Sequence, residues 1–184
     1  VAARQQLQLV SREWKEISIA NQSRGGYAPA GPEIITADGN YLIVRGENFS
    51  LDISRHSGLI SRYRVDGKDM LKEDTQIRPN FWRAPTDNDF GAGLQMRYRA
   101  WKEPVITLDR EKGLESELRD GIAVITSHLI IKDIAELTLT YEVNNAGMVK
   151  VTEKMKADPS KKVSDLFRYG MNLVMPKSFN RVEY

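Results

Sequence analysis

One stretch of the sequence concentrates the side chains that could do chemistry: residues 80–93, Asn-Phe-Trp-Arg-Ala-Pro-Thr-Asp-Asn-Asp-Phe-Gly-Ala-Gly. An aromatic pair provides an anchor, Pro85 fixes the backbone, and the three Asx residues at 87–89 can cap or turn the chain. The two glycines then free the backbone. A loop that is fixed at one end and released at the other suits residues that line a site. The same residues also fit a structural turn in which Asp side chains accept hydrogen bonds from backbone N–H groups.

Three other interpretations of this stretch fail on spacing. Residues 89–91 spell the Asp-Phe-Gly tripeptide of kinases, but no glycine-rich strand loop or catalytic loop precedes it. Residues 91–93 begin a dinucleotide-binding fingerprint, yet Met96 stands where its third glycine belongs. Residues 87–89 lack the alternate-residue spacing and the distal glutamate of a calcium loop.

The elements around this stretch are mostly strands. Apolar and polar residues alternate over 49–54 and 135–143, which is typical of half-buried strands. Residues 41–71 are predicted to form a meander, with turns at 56–58 and 66–67, the second of the hairpin type. The further predicted strands are 41–44, 59–65, 122–131, 148–155 and 167–175. Short strands at regular spacing favour an all-β fold, an antiparallel β-sandwich, in which 94–101 forms the one short helix.

The chain divides into three predicted regions. Residues 1–10 form a short strand, or else a disordered tail, which would be the end of a preceding domain. Residues 21–32 are rich in Gly, Pro and small polar residues, the chemistry of a linker. We therefore predict a domain remnant at 1–20, a linker at 21–37 and a sandwich at 38–184. The end at 181–184 falls inside an apolar-polar alternation, so we expect an open sheet edge there.

Composition excludes several functions. The 184 residues carry a net charge of +2 without a dense basic stripe, which argues against nucleic acid as a partner. No apolar run approaches the roughly 20 residues of a membrane span. The absence of cysteine excludes disulfides and thiolate metal sites. None of these properties assigns a cellular compartment.

Residues 81–89 resemble the Arg-Ala-Pro-x-Asp-Asn-Asp signature in the C-terminal domain of family 2 β-galactosidases. The strand–turn–strand at 51–60, Trp101-Lys102, and the ends 1–9 and 180–184 are similar to segments of the same enzymes. The resemblance implies a galactose-mutarotase-like β-sandwich, truncated here to its first half to two thirds. An immunoglobulin-like domain would precede it.

The family hydrolyses terminal β-D-galactosides with retention through two glutamates. The resemblance places both in a separate TIM barrel, so no residue of this chain is predicted to be catalytic. The glutamates here, among them Glu13, Glu16, Glu33 and Glu47, match neither catalytic motif. Magnesium and sodium would bind mainly to the barrel, and no metal or cofactor is predicted in this chain. The expected partners are the remaining domains, a galactoside and, in an oligomer, further copies.

By the same resemblance, the loop after the Asp-Asn-Asp triplet lies near the active-site mouth. We predict that residues 91–99 line or gate the pocket, with these rim residues: Gly91, Ala92, Gly93, Arg97 and Arg99. A second set would brace that loop by packing, hydrogen bonds and ion pairing: Trp82, Arg83, Pro85, Asp87, Asn88 and Asp89. A tryptophan that packs on the sugar in some members belongs to a part of the family's chain that this sequence lacks.

Two alternatives remain open. A free-standing carbohydrate-binding module would use Trp82, Trp101 and Tyr98 as platforms for sugar faces, unless these rings belong to the core. A mutarotase-like epimerase would need two histidines and a glutamate around the sugar, and this chain offers His56 and His128. One of these lies in a turn and the other in an apolar strand, so surface or packing roles compete with catalysis.

Overall fold

Two antiparallel β-sheets packed face to face form the body of the protein, in a computed structural model that describes residues 31–37, 39–158, 160–161 and 163–181. The first sheet is a meander in the order β1-β2-β3-β4-β5. Its strands are β1 Glu33–Ala37, β2 Tyr41–Arg45, β3 Phe49–Ser54, β4 Ile60–Val65 and β5 Lys68–Asp69. The predicted meander is confirmed.

The second sheet has the order β11-β10-β9-β7, and β8 pairs with β9 beyond the end of β7. Its strands are β7 Ile106–Leu108, β8 Leu114–Arg119, β9 Ile122–Ile131, β10 Ala135–Val143 and β11 Val149–Ala157. The alternating sequence of β9 and β10 buries every second side chain along both strands. Because side chains alternate with a period of two residues, one face of the sheet is directed toward the core. The predicted all-β sandwich is confirmed.

Two turns that contain glycine pack against the opposite sheet. Gly58, with φ +72°, brings the β3–β4 turn so close to the second sheet that a Cβ here would overlap the Ser127 hydroxyl. Gly147, with φ +79°, brings the β10–β11 turn against Phe49 of the first sheet. Tyrosines reach both turns: Tyr141 donates to the Gly58 carbonyl at 3.2 Å, and Tyr63 donates to the Gly147 carbonyl at 2.7 Å. Each sheet is thus tied to a turn of the other.

The helical content differs from the single helix that was predicted. The segment contains α1 Asp87–Gly91, α2 Leu94–Arg97 and a 3₁₀ turn Arg99–Trp101. Gly93 separates the two α-helices with φ +66°, a left-handed conformation that ends a regular helix. The Asx triplet, which was interpreted as a turn, starts a helix because Asp89 caps that helix's own N-terminus.

Two further differences concern strands. Residues 167–175 were predicted to form one strand, but only Met171–Asn172 (β12) pairs, with Arg78–Pro79 (β6). The preceding residues instead run beside the 80–83 segment through single hydrogen bonds, so tertiary packing overrides their β propensity. At the other end, β1 lies within the predicted linker and pairs along β2. The predicted strand at 1–10 lies outside the described residues, and the domain boundaries stay predictions.

Candidate functional site

The chemically rich motif leaves the sandwich just after β6 and is anchored by one aromatic residue. Phe81 is buried, and its ring packs edge-on against Trp101 with centroids 5.3 Å apart. Trp101 is only 1% exposed, and its indole N–H donates to the Ser164 carbonyl at 3.1 Å. The chain therefore enters and leaves the helical segment at two contacting core rings.

The structure brings together two of the predicted bracing residues, Arg83 and Asp89. The Arg83 guanidinium donates from Nη1 to Asp89 Oδ2 at 2.6 Å and from Nη2 to Oδ1 at 3.2 Å. Asp89 Oδ2 also accepts from the backbone N–H of Thr86 at 2.7 Å and from the Thr86 hydroxyl at 3.0 Å. Such two-point pairs fix direction as well as distance, so the motif locks the start of α1 onto the chain that precedes it.

The electrostatics of Asp89 follow from these contacts. The carboxylate is buried at 6% exposure, yet its pKa is lowered to about 2. The hydrogen bond from Arg83 contributes most and the backbone N–H of Thr86 next, while desolvation opposes both. Hydrogen bonds to the charged form outweigh burial. Asp89 is therefore a permanent anion near neutral pH and cannot serve as a proton donor there.

The other predicted bracing residues take different positions. Asp87 and Asn88 are exposed in the first turn of α1, and Pro85 is half-buried before it. In the described part of the chain, no hydrogen bond joins the side chain of Asp87 or Asn88 to the Arg83–Asp89 pair. Trp82 is half-buried and packs edge-on against Phe167.

The predicted rim residues lie on the outside of the helical segment. Gly93 is half-buried. The other four are exposed: Gly91, Ala92, Arg97 and Arg99. A Cβ at Gly91 would meet open space, and its φ lies outside the left-handed region, so nothing in the described structure requires glycine there. Two large apolar side chains of the segment also face outward, with Phe90 at 55% and Met96 at 65% exposure. An exposed surface of this kind is suited to contact with another surface or a ligand.

The three aromatic residues proposed as sugar platforms are occupied to different degrees. Trp101 belongs to the core and offers no free face. Trp82 and Tyr98 are half-buried, and both place their rings edge-on against Phe167. The carbohydrate-binding alternative therefore loses one of its two tryptophan platforms and stays a prediction for Trp82 and Tyr98.

The two histidines occupy separate elements. His56 is exposed in the β3–β4 turn. His128 lies on the outer side of β9, where its Nε2 is 3.7 Å from Glu115 Oε1. Within the described ranges no contact links the two imidazoles. The epimerase alternative gains no support from their placement and stays a prediction.

Glu153 on β11 is a titratable group to which the sequence assigned no role. Desolvation raises the pKa of this carboxyl to about 7, and its Oε1 is buried without a hydrogen-bond partner in the described structure. Glu153 faces Leu139 across the β10–β11 ladder and acts electrostatically on Tyr141 and Tyr169. The signal was in the sequence, because the alternation of β11 places Glu153 on the same side as Val151 and Met155.

A wide groove of about 1570 Å³ lies elsewhere on the molecule. It runs between the outer face of the first sheet and the segments on either side of β6 and β12, and Tyr41 and Phe179 are among its lining residues. None of the predicted rim or bracing residues lines it. Asn80, the first residue of the motif, does line the groove, so the groove touches the start of the motif but not the predicted rim.

Among the described residues, no group of three or more His, Asp or Glu side chains could hold a metal ion. None of the described helices is long and apolar enough to cross a membrane.

Comparison with known proteins places most of the chain in one family. The family model described as "Beta galactosidase small chain" matches residues 45–184. This range includes the 80–93 motif, both glycine turns and all of the second sheet.

Curated relatives agree with that match. A β-galactosidase of Lactobacillus delbrueckii subsp. bulgaricus is 30% identical over 161 residues, which are 86% of this chain and 15% of that protein. A β-galactosidase of Priestia megaterium is 26% identical over 152 residues, 82% of this chain and 14% of the relative. A third, of Klebsiella pneumoniae, is 39% identical over 77 residues, 41% of this chain and 7% of the relative. The chain thus spans about 15% of the length of the first relatives it matches.

Proposed function

The chain belongs to the β-galactosidase small-chain family, and we propose that it is a non-catalytic accessory part of a retaining, family 2 β-galactosidase. In this proposal the segment that carries α1 and α2 forms part of the rim of the galactoside pocket. The remaining domains of the enzyme, including a TIM barrel, supply the two catalytic carboxylates. The substrate is a terminal β-D-galactoside.

One observation carries the proposal: the buried carboxylate of the motif is already fully engaged. Both oxygens of Asp89 accept hydrogen bonds from Arg83, and one of them also accepts from Thr86. A group held in this way can neither exchange protons at neutral pH nor turn toward a sugar. It instead fixes the root of α1, so that the residues beyond it are presented from a rigid base. This supports a bracing role for the motif over direct contact with substrate.

The surface beyond that base fits a pocket rim. Phe90, Met96 and Arg97 are exposed on the two short helices, and Arg99 is exposed on the 3₁₀ turn that follows them. Apolar and guanidinium groups together suit contact with a sugar and with a neighbouring domain, because sugars present both C–H faces and hydroxyls. Gly91 is surrounded by open space, so a larger side chain at this position would project from the rim and not into the fold.

The surroundings of Glu153 are consistent with catalytic carboxylates that belong to another part of the enzyme. A carboxyl with a pKa of about 7 is the kind of group that a glycosidase uses as its general acid. A retaining mechanism also needs a second carboxylate about 5–5.5 Å away. Burial raises the pKa of Glu153, and its buried Oε1 has no hydrogen-bond partner in the described structure. In this proposal Glu153 therefore takes neither carboxylate role of the retaining mechanism.

Substitution at Gly91 tests the rim proposal in the full-length enzyme. Gly91→Val places a β-branched side chain in open space, so the fold should tolerate it while the rim becomes stiffer and bulkier. We expect kcat/KM for an aryl β-galactoside to change by about tenfold, which corresponds to about 1.4 kcal/mol. Ser116→Val is the matched control, since it adds the same side chain at an exposed position of β8. Unchanged constants in Gly91→Val would contradict the rim role.

A further inference from the structure

The residues that flank the helical segment on both sides contact one ring, that of Phe167. Trp82 precedes the segment, and its ring is 4.9 Å from the Phe167 ring, at an interplanar angle of 79°. Tyr98 follows α2, and its ring is 5.0 Å from Phe167, at 74°. Both are edge-to-face contacts, the favoured geometry for aromatic pairs. Residues that are 16 positions apart in the chain thus meet on a single side chain.

Arg83 makes a third contact with the same ring. Its guanidinium carbon lies 4.7 Å from the Phe167 centroid, within the range of a cation–π interaction. The edge of that guanidinium is bonded to Asp89. A planar guanidinium can stack with its face and donate with its edge at once, which an ammonium group cannot. Phe167 is therefore coupled through Arg83 to the carboxylate that starts α1.

The backbone around Phe167 is fixed to the same stem. The Arg168 N–H donates to the Phe81 carbonyl at 3.3 Å, and the Asn80 N–H donates to the Gly170 carbonyl at 2.6 Å. On the other side, the Trp101 indole donates to the Ser164 carbonyl. Phe167 consequently projects from a backbone that is tied to both ends of the helical segment, although it lies nearly 70 residues beyond that segment.

We propose that Phe167 is a positioning residue that clamps both stems of the 84–97 segment and so sets its orientation. Because the ring contacts Trp82, Arg83 and Tyr98 together, loss of its aromatic faces releases both stems while the core rings Phe81 and Trp101 stay in place. The consequence for catalysis rests on the proposed function, in which this segment forms the pocket rim. The clamp itself does not depend on that function.

Limited trypsin digestion of the 184-residue chain tests the clamp without an activity assay. Arg97 and Arg99 are exposed at the end of the segment and report its opening. Phe167→Leu keeps much of the volume but removes two aromatic pairs and one cation–π contact. We expect the initial cleavage rate after these arginines to rise on the order of tenfold or more. Phe167→Tyr retains the ring and should behave as wild type. Mass spectrometry identifies the first cuts.

A neighbouring variant separates the clamp from general loosening. Leu166→Val trims a half-buried residue that packs on the core one position earlier. The clamp predicts little change at Arg97 and Arg99 in this variant. Wild-type cleavage in Phe167→Leu would overturn the proposal, as would an equal rise in Leu166→Val.

Kinetics of the full-length enzyme then separate the clamp from the rim. With both correct, Phe167→Leu raises KM for an aryl galactoside more than it lowers kcat, and Phe167→Tyr restores both constants. Faster cleavage after Arg97 with unchanged kinetic constants would uphold the clamp and contradict the rim assignment. Neither result depends on any side chain of the catalytic machinery.

Discussion

Arg83 and Asp89 form a two-point ion pair that spans the turn into α1, with Nη1–Oδ2 at 2.6 Å and Nη2–Oδ1 at 3.2 Å. The carboxylate is buried while the guanidinium remains partly exposed. The pair therefore joins the first helix to the stem of its own loop, and Thr86 closes the arrangement from the helix N-terminus.

The first prediction concerns the pH dependence of this pair. The pKa of Asp89 is lowered in the folded state to about 2, so its stabilising contribution is complete above the unfolded value of about 3.9 and is lost as the pH falls toward 2. Asp89→Asn should therefore unfold at lower urea concentration than wild type at pH 6. The gap should stay constant down to about pH 4 and narrow below it. Asp87→Asn, exposed in the same turn, is the control and should show a smaller gap.

The second prediction concerns the glycine turn that joins the sheets. Gly58→Ala introduces a Cβ into the Ser127 hydroxyl at a left-handed backbone position. Strain and overpacking together should lower the free energy of unfolding by about 2–4 kcal/mol. Gly67→Ala carries the strain alone, because its φ is +75° with no atom within 4 Å, and should cost about 1–2 kcal/mol. Chemical denaturation of both variants measures the difference, and equal losses would mean that the close approach is not real.

The third prediction concerns Glu153. Its folded pKa of about 7 lies above the unfolded value of about 4.3, so the folded state prefers the protonated form. Stability is complete below the unfolded value and falls as the pH rises through 7. Wild type should lose thermal stability between pH 5 and pH 8 relative to Glu153→Gln, which has no charge to bury. Tyr141 and Tyr169 are the ionisable groups facing Glu153, and both stay protonated in this range because their own pKa values are raised. If the melting temperatures of the two proteins changed equally with pH, the raised pKa of Glu153 would be ruled out.

The fourth prediction concerns sugar binding by the chain on its own. Trp101 is buried, and Trp82 and Tyr98 both contact Phe167. Each of the three rings is therefore at least partly covered by protein. Calorimetric titration with galactose or an alkyl galactoside should give millimolar binding or none. Micromolar affinity that disappears in Trp82→Ala would favour a carbohydrate-binding module instead.

The strands that alternate strictly were the part of the fold that the sequence predicted best. Strands β9 and β10 begin and end where their apolar alternation does, because a period of two buries one whole face. The alternation at 167–175 misled for a physical reason. Phe167 and Tyr169 pack on the rings of the motif rather than on a strand, and only tertiary structure distinguishes these two uses of an apolar residue.

The candidate site was predicted in part. The motif pointed to Arg83 and Asp89, and the structure joins them, whereas Asp87 and Asn88 lie exposed beside the pair. Short polar side chains compete with the backbone and favour turns, which is why α1 was not expected. The spacing of Thr86 and Asp89 is that of a capping box and could have revealed the helix. Phe167 had no local signal, since its partners lie about 70 to 85 residues earlier in the chain.

The central claim is that the carboxylates which cleave the galactoside belong to another part of the enzyme, and an assay of the purified 184-residue chain tests it most directly. A preparation shown by circular dichroism to be folded and β-rich is incubated with nitrophenyl β-D-galactoside, with the full-length enzyme as the positive control. The account predicts nitrophenol release at the buffer rate from the chain and rapid release from the full-length enzyme. Sustained release by the chain alone, proportional to its concentration and abolished in Glu153→Gln, would contradict it.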